Sequence, residues 1–294
     1  MDIEKYLNKL PVNELYKDLF KPGMQKAGTA LETVIDGANL ILLPLKLLNA
    51  KSKVYFERNL EIYSEKLNVE NDLTLTQVPQ YVGLPIIDKL TYLDQNELAE
   101  AFINLLTKAS YEETLKLVHP AFISILNNLS ADEAKILYTF KNTDKIPFID
   151  LYIRRYIETF EKPDENGAKT KEGLKKLIDY TFQEKQDTFL KYAWNLTGIQ
   201  NEVELLFPEN IDIYLENLEL NGLIQFEREL HSKSLLEKYQ QLLEHDHFET
   251  YEKLKKVIEE NTSDFKLEIN IRKGYIEFTE LGKAFLEACI KELK

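Results

Sequence analysis

One cysteine, Cys289, in 294 residues excludes an intramolecular disulfide and a cysteine-rich zinc site. It stands in the apolar rhythm of the last helical stretch, where a packed, inert thiol in a reducing cytoplasm is the natural reading. Glycine and proline are sparse too, with ten and nine residues, which favours long regular helices over tight turns and short strands. Basic residues are in deficit, 37 against 50 acidic, and the formal net charge of -13 opposes general attraction to DNA, RNA or anionic lipid. The N-terminus, MDIEKYLNKLPVNELYKDLF, lacks the basic and apolar regions of a secretory signal, so export through one is not expected. Gly167 and Gly173 have neither the spacing of a phosphate-binding loop nor its Gly-Lys-Ser/Thr ending. His245-Asp246-His247 repeats no zinc-hydrolase spacing and reads as a polar turn. With no Ser or Cys nucleophile paired to an oriented base, the expectation is a protein without catalytic residues, metal or cofactor.

What the chain does have is helical patterning. Its 44% hydrophobic content supports a substantial core, and the expected class is mainly α. The clearest agreement of signals runs from Glu97 to Phe140. Leu98, Phe102, Leu105 and Leu106 form one apolar stripe, and Phe122, Ile125, Leu126 and Leu129 form a second after His119-Pro120. Ser130 and Glu133 have the spacing of a reciprocal capping box, which opens a third helix through Ala134, Ile136, Leu137 and Phe140. Upstream, KSKVYFERNLEIYSEKL reads as a charged helix, and Leu84-Pro85 marks a turn before a short helix at Ile86 to Leu93.

Downstream, the order of elements is more specific. IPFIDLYIRRYIETF leans to strand, a lysine-rich helical stretch follows, and ENIDIYLENLELNG is a helix with Gly222 as its C-cap. LIQFE and FKLEINIRKGYIEFT are strands separated by a helical insertion, 232–260, and Gly274 offers a bend. This order predicts a C-terminal winged-helix-like domain with a small antiparallel sheet and a helical insertion in its wing. The expected division is an N-terminal helical region, 1–95, followed by a helical core and winged-helix-like domain, 96–294.

The most apolar stretch, 33–50, includes Leu40, Ile41, Leu42, Leu43 and Leu45. Asp36, Asn39, Pro44 and Lys46 interrupt it, so it does not make the roughly 20-residue span a bilayer requires. Two readings stand: a core helix broken at Pro44, or a docking segment that meets a membrane surface with Lys46, Lys51 and Lys53 near the headgroups.

The run HPAFISILNNLSADEAKIL, with Asn104 to Leu106 before it, resembles the abortive-infection alpha family of bacterial proteins associated with defence against phage. PENIDIYLENLELNGLIQF and KGYIEFTELGKAFLEACI are similar to later parts of the same family. The residues carrying the signature are His119, Pro120, Phe122, Ser130, Asp132, Glu133 and Gly222. The resemblance implies phage resistance through abortive infection and brings no catalytic residue with it. The expected mode of action is non-enzymatic, through an unknown protein partner or self-association, in the cytoplasm and with the apolar segment reaching a membrane on activation. The alternative is a winged-helix nucleic-acid-binding regulator contacting its target through Arg272 and Lys273. Against it, the helix that would enter the groove carries Glu209, Asp212, Glu216 and Glu219 with no lysine or arginine, so nucleic acid is the disfavoured partner.

Overall fold

The computed structural model describes residues 24–35, 49–69, 72–94, 96–156, 170–175, 188–228, 232–244 and 266–293, with a few positions between 252 and 260. The protein is mainly helical with one small four-stranded antiparallel sheet. Contacts group the chain into two compact units, one of residues 1–143, 203–224 and 278–294, the other of 144–202 and 225–277.

The first unit is built around α4 (Glu97–Ala109), in which every residue from Leu98 to Ala109 except Glu100 is buried. A helix buried on all sides cannot rely on an apolar stripe alone, and its polar side chains need partners. Asn96 caps its start by accepting from the Ala99 N–H at 2.9 Å. Asn104 Nδ2 donates to the Cys289 carbonyl at 3.0 Å and to the Tyr138 hydroxyl at 3.1 Å. The Lys108 amine donates to the carbonyls of Glu287 and Lys291. These carbonyls belong to the end of α11, whose α-helical part spans Glu280–Phe285 and continues as a π-turn over Leu286–Ile290. Side chains from α4 thus satisfy the end of the last helix, where a wider turn leaves carbonyls seeking donors.

Around α4 pack α2 (Ala50–Asn68), α3 (Gln80–Leu90), α5 (Glu112–Leu115), α6 (Pro120–Asn128) and α7 (Ala131–Phe140), while α1 (Gln25–Ile35) packs against α2 and α3. In α1 the buried Ala27, Ala30, Leu31 and Val34 follow helical spacing, as do Phe56, Leu60, Tyr63 and Leu67 in α2. The turn expected at Leu84-Pro85 is absent: α3 runs through Pro85. Proline removes one backbone donor from the helix, and the burial of Val82, Ile86, Ile87 and Leu90 on one face outweighs that loss. Two later elements complete this unit: α9 (Ile211–Leu220), ending in a left-handed Gly222 at φ 71°, and α11. Thr279 caps α11 by accepting from the Gly282 N–H at 2.9 Å, and its hydroxyl donates to the Gly222 carbonyl at 2.5 Å.

The second unit contains β1 (Ile146–Tyr156), β2 (Thr188–Leu196), the short α8 (Ile199–Glu202), α10 (Leu236–Leu243) and all but one end residue each of β3 (Ile224–Glu227) and β4 (Lys266–Phe278), with sheet order β2-β1-β4-β3. Ile149 and Leu151 of β1 and Tyr275 of β4 pack against Leu235 and Tyr239, and the Tyr239 hydroxyl donates to the Gly274 carbonyl at 3.0 Å. Gly274 makes no bend. It lies within one uninterrupted strand, where a Cβ would meet the Phe148 ring and the Glu227 carbonyl oxygen, so its role is close approach. β2 has no counterpart in the sequence reading. Of the insertion 232–260, α10 is described; His245, Asp246 and His247 lie outside the described residues.

Candidate functional site

Three of the signature residues, Ser130, Asp132 and Glu133, meet at the start of α7. Ser130 is its N-cap: the hydroxyl accepts from the Glu133 N–H at 3.3 Å, while Glu133 Oε2 accepts from the Ser130 N–H at 2.6 Å. Glu133 Oε1 accepts from Asn217 Nδ2 of α9 at 2.6 Å, and the same amide donates to the Asn128 carbonyl at 3.0 Å. Asp132 is only 2% exposed, and its oxygens face three donors. Oδ1 accepts from the Leu206 N–H at 2.8 Å; Oδ2 accepts from the Phe207 N–H at 3.0 Å and the Tyr214 hydroxyl at 2.9 Å. Burial works to raise the Asp132 pKa, but these donors overcome it and hold the carboxyl below its ordinary value. Both carboxylates also lie in the first turn of α7, where the helix dipole favours negative charge.

His119 is the N-cap of α6, with Pro120 at the first helical position; its Nδ1 accepts from the Ala121 N–H at 3.1 Å. Its ring lies 5.8 Å from that of Phe122, which meets Phe285 edge-on at 5.6 Å. Gly222 closes α9 in the conformation where a side chain is strained. The signature therefore separates into a polar cluster (Ser130, Asp132, Glu133), a helix start (His119, Pro120, Phe122) and a turn (Gly222). The sequence reading missed Tyr214 and Asn217, the α9 partners of the polar cluster. Their three-residue spacing, which puts both on one helix face, was the available signal.

Beside this cluster opens a cleft of about 830 Å³ between α2, α4, α7 and the segment held by Asp132. Ile62, Ala99 and Ile103 supply apolar lining, while Glu65, Glu97 and Glu100 supply carboxylates. Lys66 is drawn to Glu100 at 3.4 Å and Glu292 at 3.6 Å, and Lys135 donates to the Glu204 carbonyl at 2.8 Å. Leu206 lines the cleft with 65% of its surface exposed, and Val69 does so with 62%.

A second polar centre lies in the sheet unit. The fully buried Asp150 accepts from the Asn195 N–H at 2.9 Å and from Arg228 at 3.1 Å, and Arg228 also donates to the Asn195 side chain at 3.0 Å. The guanidinium lies 4.5 Å from the Trp194 ring, 4.6 Å from Phe226 and 5.2 Å from Phe148. Burial raises the Asp150 pKa against the opposing effect of these donors.

Arg272 and Lys273 do not form one contact patch. As neighbours on β4 they point to opposite faces, the Arg272 guanidinium 5.1 Å from the Tyr152 ring and the Lys273 amine 5.7 Å from that of Tyr239. Leu40, Ile41, Leu42, Leu43 and Leu45 lie outside the described residues. Among the described residues no helix is long and apolar enough to cross a membrane, and no group of His, Cys, Asp or Glu is placed to hold a metal ion. Cys289 is buried, and burial pushes its thiol pKa upward.

A family model described as abortive infection alpha matches residues 55–289. No curated protein and no solved structure matches the chain.

Proposed function

This chain belongs to the abortive infection alpha family, and we propose that it protects bacterial cells against phage by abortive infection, acting through protein contact and not through catalysis. The observation that carries the contact reading is the employment of the signature. Ser130, Asp132, Glu133 and His119 each accept hydrogen bonds from nearby backbone or from α9 side chains. Side chains committed in this way shape a surface, whereas a catalytic acid or base faces its substrate. The apolar run 33–50 is the docking element of this reading, reaching a partner or a membrane surface once infection begins. We read α9, β3 and β4 as the winged-helix-like part of the chain expected from the sequence and assign it to self-association or partner binding. The acidic Asp212, Glu216 and Glu219 on α9 weigh against a DNA groove.

The test is phage challenge of a bacterial culture producing the protein, at low and at high multiplicity. Survival of the culture at low multiplicity with collapse at high multiplicity is expected. Equal lysis with and without the protein across a broad phage panel, with neighbouring genes included, contradicts the reading.

A further inference from the structure

We propose that the cleft bounded by α2, α4 and α7 is a docking groove for a single amphipathic helix of a partner protein, one that carries lysine or arginine beside its apolar stripe. The proposal rests on the protein-contact reading above and names the chemistry of the contact.

Three features converge on it. The first is apolar surface kept in water. Leu206 is 65% exposed and Val69 62% exposed, and both line the cleft. Large apolar side chains grouped at the mouth of an open cleft mark an interaction surface more often than chance exposure.

The second is preorganisation. Leu206 and Phe207 stay outside while their backbone amides are fixed by the two oxygens of one buried carboxylate, Asp132. Holding a chain segment rigid with its apolar side chains turned to solvent lowers the ordering cost of a later contact. Asp132 thereby links the signature to the groove wall.

The third is charge. Glu65, Glu97 and Glu100 line the cleft against Lys66 and Lys135. Both lysines are engaged within the unit, Lys66 by Glu100 and Glu292 and Lys135 by the Glu204 carbonyl. With Glu100 already drawn to Lys66, Glu65 and Glu97 are the lining carboxylates left to meet a partner cation, and the net charge of -13 adds long-range attraction for it. Apolar floor with acidic rim suits a helix laid into the groove by anchors three and four residues apart. An anionic partner such as nucleic acid meets repulsion.

The experiment uses the full chain and a labelled synthetic helix of leucine and lysine, about five turns long, with a leucine and glutamate helix of the same pattern as control. Fluorescence anisotropy is expected to show saturable binding of the lysine peptide, no binding of the glutamate peptide, and at least about tenfold weaker binding for Leu206→Asp and for Glu65→Lys. Both substitutions are at exposed positions, and an unchanged melting temperature confirms folding. In the phage challenge both variants are expected to lose protection. Equal binding of the lysine peptide by wild type and Leu206→Asp, or equal binding of the two peptides, overturns the groove. Full protection by both variants overturns it as well and leaves the defence reading standing. Peptide binding with the expected variant effects, in a wild type that gives no protection, overturns the defence reading and leaves the groove.

Discussion

The Tyr214 hydroxyl donates to Asp132 Oδ2 at 2.9 Å, joining α9 to the first turn of α7 across 82 residues of sequence. The same carboxylate holds the Leu206 and Phe207 amides, so three donors converge on one buried group. Asp132→Asn offers an amide that brings two donors of its own into that site, and a loss of about 3 kcal/mol is expected. Tyr214→Phe removes one donor of three and should cost about 1.5 kcal/mol. Urea denaturation of the two variants checks the order as well as the size.

The pH dependence follows from the sign of the Asp132 shift. Its folded-state pKa is depressed, so the folded protein releases this proton more readily than the unfolded chain does. The resulting stability is present above the ordinary aspartate value of about 4 and is lost as pH falls through the lower folded value. The stability gap between wild type and Asp132→Asn should therefore be full at neutral pH and narrow under acid. A gap unchanged down to the acid transition would contradict the ionised-carboxylate account.

Arg228 supplies the only charge that directly hydrogen-bonds Asp150 among the described residues. Arg228→Met leaves a buried carboxylate without its cation, at an expected cost of about 3–5 kcal/mol near neutral pH. The Asp150 pKa is raised already by burial, and removing Arg228 raises it further. A raised folded pKa means the native state binds the proton more readily, so stability falls as pH rises. Thermal melts should show Arg228→Met recovering part of its loss as the buffer is brought from neutral toward the acid side.

Two glycines make a graded pair. A Cβ on Gly282 would fall on the Leu223 carbonyl, which is backbone and cannot swing aside, whereas at Gly222 the obstacle is the left-handed φ of 71° and a Leu281 methyl at 3.3 Å. Gly222→Ala should cost about 1–2 kcal/mol, and Gly282→Ala clearly more, measured as the difference in urea midpoint. Equal costs would mean that the chain shifts freely around Leu223.

Leu42 tests the apolar run. If this segment docks on lipid in the activated protein, liposome flotation recovers the wild type and loses Leu42→Asp. Equal flotation of the two, or none in either, contradicts lipid docking by this segment.

The helical half of the protein was legible because its signals are local. Ser130 and Glu133 specify their capping box within four residues, and His119-Pro120 specifies a helix start within two. Leu98 to Leu106 show the apolar density of a central helix, though sequence alone did not say that Asn104 and Lys108 would also be buried, since their partners lie about 180 residues away. Pro85 was misread for the same reason: tertiary burial of α3 decides against a local preference. β2 was missed because Thr188–Leu196 mixes Lys191, Tyr192 and Asn195 with apolar residues, and its pairing partner β1 is remote. At the site, Asp132 was named from the signature, but its donors at 206, 207 and 214 come from another element and carry no mark in its own neighbourhood.

The central claim is that an infected cell is lost while the phage gains nothing. The direct measurement is to infect producing and non-producing cells at high multiplicity and count, in the same culture, the phage released per cell and the cells that still form colonies. The account predicts a strongly reduced burst together with loss of colony formation. Infected cells that block the phage and go on to form colonies, or a normal burst, would contradict it.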